Sequence, residues 1–345
     1  MSNTPAGRVV TLTANPSLDR TLELPAPLEL GGVVRLLGSA TEPGGKGVNV
    51  ARAVAAAGGR VVSVLPAADH DPIVHALLAI GLELATVPVA AAVRTNYTVA
   101  GPDGVTTKLN EPGTPLDDAT RAALSAVLHQ HAADARWVVL SGSLPPSTPV
   151  DWYAELVRSL RDTGARVAVD TSEAPLRALL GAGPEAAPDL LKPNSEELAQ
   201  LAGVSEADVL ADSGVALAAV RTLHDRGVAE VLLTLGADGA VLSTADGGLW
   251  SARPPRIAVR STVGAGDCSL AGYLLADLAG ADPAERLRTA VAYGAASASL
   301  PGSAVPTPDL VDGSAVSVTA GLPGSNPAPP APITAPVPAA GRDLH

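Results

Sequence analysis

Asp267 closes the stretch RSTVGAGD, residues 260–267, with two glycines before it and an apolar run, SLAGYLLADLAG, soon after it. The spacing of that run predicts a helix that opens at the glycines. Gly264 and Gly266 free the backbone for unusual φ and for close approach by a ligand. The first N–H groups of a helix lack an internal acceptor and attract anions. A carboxylate at such a mouth has two readings: it caps the helix, as Asp often does, or it takes a proton from a hydroxyl while the mouth holds an anion.

Three further turns carry polar residues at spacings that suit chemistry. In GGKGVN, residues 44–49, Lys46 and Asn49 lie three apart and share one face of the helix that follows. The stretch is not a Walker A loop, because Gly47 stands where a Ser or Thr would hold Mg²⁺. Nor is GAGDCS a dinucleotide fingerprint, since Ser269 stands where the third Gly or Ala belongs. KPNSEEL, residues 192–198, ends a strand and begins a helix, presenting Lys192, Asn194 and Glu197. Ser195, with Glu196 and Glu197, equally meets the preferences of a helix N-terminus. TLGADG, residues 234–239, reads as a strand and a tight glycine turn. The single cysteine, Cys268, excludes an internal disulfide and a thiolate metal cluster. With no histidine at a telling spacing, it reads as a small buried residue.

These turns need a scaffold, and the chain between them supplies one. Short β-type runs such as RVVTLT, VVSVL, RWVVLS and RVAVD alternate with amphipathic runs such as GVNVARAVAAAG, WYAELVRSLRDTG and VALAAVRTLHDRG. That alternation predicts an α/β fold with a mostly parallel sheet covered by helices on both faces, whose carboxyl edge is where such sheets bind ligands. Residues of about 20–38 and about 84–111 break the rhythm with strand-like alternation and no helix, and read as a small inserted lid sheet. Residues 321–345 are rich in Pro and Ala and poor in large apolar side chains, and read as a disordered tail.

Of the 345 residues 47% are hydrophobic, enough for a large core, and the absence of Phe leaves that core to Val, Leu and Ala. A formal charge of −12 with no basic block argues against a nucleic-acid face or an anionic membrane surface, so any phosphate must be held locally. No run approaches the roughly 20 apolar residues of a membrane span, and MSNTPAGRVV lacks a signal pattern, which predicts a cytoplasmic protein.

The order of the turns, NPSLD, GGKGVN, KPNSEE with TLGADG, then TVGAGD, resembles the PfkB family of carbohydrate kinases, over about residues 8–305. The resemblance implies a ribokinase-like three-layer α/β/α domain over residues 1–320 with a small β lid, and ATP and Mg²⁺ as its small molecules. It makes Asp267 the base and the backbone N–H groups of Gly264, Ala265 and Gly266 an anion hole. Asn194 and Glu197 would organise Mg²⁺ through water, Lys192 would neighbour the ATP phosphates, and Thr234, Gly236 and Gly239 would form the nucleotide turn. On the acceptor side Asp19 would bind sugar hydroxyls, with Gly44, Gly45, Lys46 and Asn49 lining the sugar site. Arg94 and Lys108 supply two cations, more than a neutral sugar requires and suited to a phosphomonoester, and Ser143 would join that pocket. TANPSLDRT, RTNYTV and TKLNEPGTP are most similar to the branch of the family that phosphorylates fructose 1-phosphate to fructose 1,6-bisphosphate. The same chemistry on fructose 6-phosphate or tagatose 6-phosphate is the neighbouring expectation, and a silent sugar-phosphate or nucleotide sensor is the expectation from another class. A homodimer through the lid completes the reading. The chain departs from the family pattern at Val34, where an Asn is usual before the Arg, and at Cys268, where a Ser is usual.

Overall fold

Arg8–Thr13, RVVTLT, is a β-branched run with five consecutive buried residues, the pattern of a strand covered on both faces. In the computed structural model, which describes residues 7–102 and 105–321, it lies inside a ten-stranded sheet. The strands Glu83–Val87, Arg60–Pro66, Arg8–Thr13, Trp137–Ser141, Arg166–Asp170, Leu190–Leu191 and Glu230–Thr234 are neighbours in that order and all parallel. Ala240–Thr244, Leu249–Arg253 and Ser317–Ala320 extend the sheet antiparallel. The tail expected over 321–345 falls, beyond Gly321, outside the described residues.

Alternate side chains of each strand enter cores on opposite faces of the sheet. Val10 and Leu12 join Leu140, Tyr153 and Leu156 on one face, while Val9 joins Trp137, Val139 and Leu270 on the other. The helix Ala265–Leu278 is buried along almost its whole length because it runs between Lys46–Ala56 and Pro283–Ala298. Each Leu it seats, such as Leu270 and Leu274, contributes about 1.5–3 kcal/mol of burial, which fixes the helix that carries Asp267.

A separate four-stranded sheet has the order Gly38–Gly44, Ser17–Glu23, Arg94–Ala100, Thr106–Asn110. Its strands start and end elsewhere than the expected boundaries of 20–38 and 84–111. Residues 24–37 between the first two strands contain no strand or helix, and the strand leading into GGKGVN is itself part of the small sheet. Glu83–Val87 belongs to the large sheet, paired parallel with Arg60–Pro66. As an edge strand it is only partly buried, and its short run ELATV carries no helix after it, so the pattern by itself does not separate it from a strand of the small sheet. Among the described residues no helix is long and apolar enough to cross a membrane.

Candidate active site

Strand ends converge at the carboxyl edge of the large sheet. Thr13 is in register with Ser141, and Ser141 with Asp170. Lys192 follows directly on Leu190–Leu191, and Asn194 bridges to Thr234. Two helix N-termini meet at this edge, because Asn49 Nδ2, in the first turn of Lys46–Ala56, donates to Asp267 Oδ2 at 2.9 Å.

Asp267 does not cap its helix. The N-cap is Gly264, whose φ of +78° lies in the left-handed region, and no side chain caps the end. Ala265 N reaches Thr262 O only at 3.4 Å, and among the described residues the N–H groups of Gly264 and Gly266 have no acceptor. The carboxylate is buried beside these donors. Burial raises its carboxyl to about 6; Lys46 opposes the rise, Asp170 adds to it, and the Asn49 hydrogen bond and Lys192 oppose it. A carboxylate near 6 is a stronger base than a free aspartate and is still ionised at neutral pH. The neighbouring Cys268 is 1% exposed and burial pushes its thiol up to about 12, so it packs and does not react.

Asp170, fully buried, holds two lysines. Lys46 Nζ is 2.6 Å from its Oδ1 and Lys192 Nζ 3.0 Å from its Oδ2. Burial works against the Asp170 charge, and Lys192 and then Lys46 outweigh it, keeping the carboxyl below its usual range. Burial likewise works against the Lys46 charge, and Asp170, Asp267 and Glu197 outweigh it, holding the ammonium above its usual range. The acidic chain thus keeps two fixed cations at this edge, where a phosphate could meet them.

Asn194 caps the helix Ser195–Ala202 in a reciprocal box: its side chain accepts from Glu197 N, and Glu197 Oε2 accepts from Asn194 N. The cap expected of Ser195 is therefore made by Asn194, and Ser195 instead donates to Glu206. The box leaves Glu197 Oε1 as the oxygen not committed to the cap. Burial raises the Glu197 carboxyl, and Lys46 is its main opposing charge. One buried carboxylate oxygen beside an amide fits a hard cation that keeps most of its waters. Thr234 N donates to Pro193 O at 3.0 Å, and the turn after it closes through Leu235 N to Gly239 O at 2.8 Å, with Gly236 between.

Asp19 faces the site from the small sheet, where its Oδ1 accepts from Ser17 Oγ at 2.8 Å and from Asn96 Nδ2 at 3.1 Å. Gly44 lies opposite Ser17, and a Cβ there would stand 2.2 Å from Asp19 Oδ2, so only glycine admits this carboxylate. Arg94 donates to Asn15 O at 3.1 Å and Glu111 O at 2.9 Å, and among the described residues its Nε is buried without a partner, as is Asn96 Oδ1. Asn15 Nδ2 donates to Ser143 Oγ at 3.3 Å, which seats Ser143 next to the same strand end. Lys108, opposite Thr98, shares the sheet face of Asn96 but lies on an exposed strand and makes no ion pair among the described residues.

Compared with known families, residues 25–310 match the pfkB family carbohydrate kinase. The chain belongs to the PfkB family. A 1-phosphofructokinase of Xanthomonas campestris is 37% identical over 289 residues, covering 82% of this chain and 89% of that protein. An ATP-dependent 6-phosphofructokinase isozyme 2 of Mycobacterium tuberculosis is 34% identical over 313 residues, 88% of each chain. Phosphofructokinase-2 from Escherichia coli, solved in complex with substrates and products, superposes with a TM-score of 0.78 at 29% identity, over 88% of this chain and 96% of that one. The protein is a phosphofructokinase-type sugar kinase with the ribokinase-like fold, and its family implies ATP as phosphoryl donor.

In this PfkB kinase one cluster at the sheet edge brings together Lys46, Asn49, Asp267 and Lys192, with Asn194, Glu197 and Thr234 beside it. Asp19, Gly44, Arg94 and Ser143 gather at the small sheet, and Lys108 stands apart. Sequence reading missed Asp170, Asn96 and Ser17. Asp170 ends the run RVAVD, so a carboxylate at the carboxyl end of a buried strand was its available signal. Asn96 is two residues from Arg94 in a strand, and period two alone puts both on one face.

Proposed function

We propose that this PfkB kinase transfers the γ-phosphoryl group of ATP to the 6-hydroxyl of fructose 1-phosphate, giving fructose 1,6-bisphosphate. The observation that carries the reading is a buried carboxyl raised to about 6, Asp267, in the first turn of a helix where, among the described residues, the N–H groups of Gly264 and Gly266 have no acceptor and that of Ala265 only a long one. Asp267 accepts the hydroxyl proton as that oxygen bonds to the γ-phosphorus and the bond to the β,γ-bridging oxygen breaks, releasing ADP. The N–H groups of Gly264, Ala265 and Gly266 receive the charge on the transferring group, and Lys46 and Lys192, fixed by Asp170, flank the phosphates. Glu197 and Asn194 would hold Mg²⁺ through water, and the ion would supply positive charge against the charge of the phosphates. Thr234, Gly236 and Gly239 line the nucleotide turn.

Asp19, Asn49 and the unpartnered Asn96 Oδ1 suit sugar hydroxyls, and Arg94, with Ser143 and Lys108, suits the phosphate already present. Relatives of similar identity are named for both phosphofructokinase activities, which keeps fructose 6-phosphate and tagatose 6-phosphate as the second reading. Steady-state assay of the purified chain with MgATP against a panel of phosphosugars tests the reading. Fructose 1-phosphate as the best acceptor supports it, a 6-phosphate as the best acceptor replaces it, and no turnover on any leaves a sensor. The small sheet's other face and its adjoining loop expose Leu109 at 56%, Leu30 at 94% and Val33 at 90%, an apolar surface suited to a second copy of the chain, which light scattering would register as a dimer.

A further inference from the structure

Lys46, Asn49 and Arg52 follow at intervals of three along one helix and form a row leading inward from the site. The first reaches Asp170 and the second Asp267. The third is 8% exposed, and its NH1 donates to Asn49 Oδ1 at 3.3 Å, Pro43 O at 2.9 Å and Ser303 O at 3.1 Å. We propose that Arg52 is a positioning residue: it fixes the Asn49 amide toward Asp267 and ties that pair to the strand Gly38–Gly44 of the small sheet. This rests on the reading of Asp267 as the base.

An asparagine amide has two faces of opposite character, and which one meets Asp267 decides whether the contact attracts or repels. A carboxylate only accepts, so it requires the amide nitrogen. A guanidinium only donates, so it requires the amide oxygen. With Arg52 on one side and Asp267 on the other, a flipped Asn49 would put oxygen against oxygen and nitrogen against nitrogen at once. Arg52 therefore removes the orientation in which Asn49 would work against the charge on the base. Lysine keeps the charge but ends a flexible stem, and lacks the rigid planar group that aims NH1 at the Asn49 oxygen.

The same guanidinium reaches the small sheet. Arg52 NH2 lies 3.8 Å from Glu42 Oε1, and Glu42 Oε2 accepts from Ser303 N at 2.9 Å and Ser303 Oγ at 3.0 Å. Glu42 and Pro43 belong to the strand that runs into Gly44, against which the Asp19 carboxylate rests. The sugar-facing strand and the base thus share one buried cation.

Arg52→Lys and Arg52→Gln, made in the full chain, test the proposal through the titration of Asp267. That group is faced by Lys46 and Asn49 from one helix, by Asp170 and Lys192 from the sheet edge, and adjoins Cys268, and all of these stay in place in both variants. Carbon-13 NMR of protein labelled at the aspartate carboxyl reads the midpoint directly, with the Asp267 signal assigned as the one missing from Asp267→Asn. Loss of an oriented donor to the charged form should raise the midpoint by about half a pH unit or more. An unchanged midpoint in the folded Arg52→Lys protein, which keeps a cation opposite Glu42 should the Gln variant not fold, would overturn the proposal. The titration needs no turnover, so it is separable from the base assignment, which an Asp267→Asn enzyme of parental activity would overturn by itself.

Discussion

Asn49 and Asp267 stand 218 positions apart in the sequence and 2.9 Å apart in the fold. Each lies in the first turn of a helix opened by a glycine in a conformation other residues avoid, Gly45 at φ +107° and Gly264 at φ +78°. The contact therefore joins two helix N-termini, and the partial positive charge of both is directed at the Asp267 carboxylate and at the place proposed for the transferring phosphate.

Asp267→Asn keeps the volume of the side chain and removes the proton acceptor. Turnover should fall by roughly 10²–10⁴, the range of general-base contributions, while ATP binding changes little. Single-turnover kinetics and a nucleotide titration check both halves. Turnover within about threefold of the parent would exclude a base role.

The same substitution should stabilise the fold at neutral pH. The folded state keeps the Asp267 proton up to about 6, whereas the ordinary carboxyl gives it up near 3.8, so this group costs stability as pH rises through that window. The cost, about 3 kcal/mol at most from the size of the shift, is absent from Asp267→Asn. Urea unfolding of both proteins at pH 4 and pH 7.5 should show the variant gaining on the parent at the higher pH. For the same reason kcat/KM of the parent should drop as pH falls below about 6.

Asp170→Asn removes the one carboxylate between two lysines, of which Lys192 is 4% exposed. Breaking a buried pair from one side costs about 3–5 kcal/mol because the remaining charge stays desolvated. The melting temperature should fall by roughly 10 °C, read by calorimetry. A change of less than about 2 °C would mean that solvent reaches both ammonium groups.

These sites were legible in unequal measure. The turns around Gly264, Gly45 and Asn194 announce themselves, because a backbone that must take positive φ or cap a helix admits few residue types. The alternation of strands and helices also shows in the sequence, since one period belongs to each. Asp170 does not: RVAVD is an ordinary strand until Lys46 and Lys192 arrive beside it from 124 residues before and 22 after. Asn96 gains its meaning from pairing with Asp19 across two strands, a register that no local pattern records. Glu83–Val87 is hard to place from pattern because an edge strand is only partly buried and ELATV is too short to declare which sheet it joins.

Arg94 and Lys108 are separable by mutation. Arg94 is half-buried and held in place by two backbone carbonyls, so its guanidinium has a fixed orientation. Arg94→Ala should weaken acceptor binding by roughly 1.5–3 kcal/mol, the scale of hydrogen bonds to charged groups, with the KM for ATP nearly unchanged. Lys108→Ala, on an exposed strand, should cost less, within about 1 kcal/mol. Acceptor KM values for both enzymes check the order, and an unaltered KM in Arg94→Ala would make that arginine a structural clamp only.

The choice of acceptor follows from the distance between two fixed points. If Asp267 is the base, it takes a proton only from the hydroxyl that faces the helix mouth, and if Arg94 holds the existing phosphate on the small-sheet side, one orientation of a ketohexose phosphate is productive. Fructose 1-phosphate then presents its free 6-hydroxyl. Fructose 6-phosphate must enter reversed, presenting its 1-hydroxyl with the anomeric centre next to it. Reversal moves the ring hydroxyls away from Asp19, Asn49 and the unpartnered Asn96 Oδ1, and each buried polar group left unpaired costs about 1–3 kcal/mol. A single such loss is about 1.4 kcal/mol of transition-state binding, or tenfold in rate. We therefore expect kcat/KM to favour fructose 1-phosphate over fructose 6-phosphate by at least roughly tenfold at saturating MgATP. Asn96→Ala should narrow that ratio, since it removes one of the acceptors that tell the two registers apart. Equal or reversed preference in the parent enzyme would reassign the acceptor to the 6-phosphate and leave the phosphoryl-transfer chemistry at Asp267 as it stands.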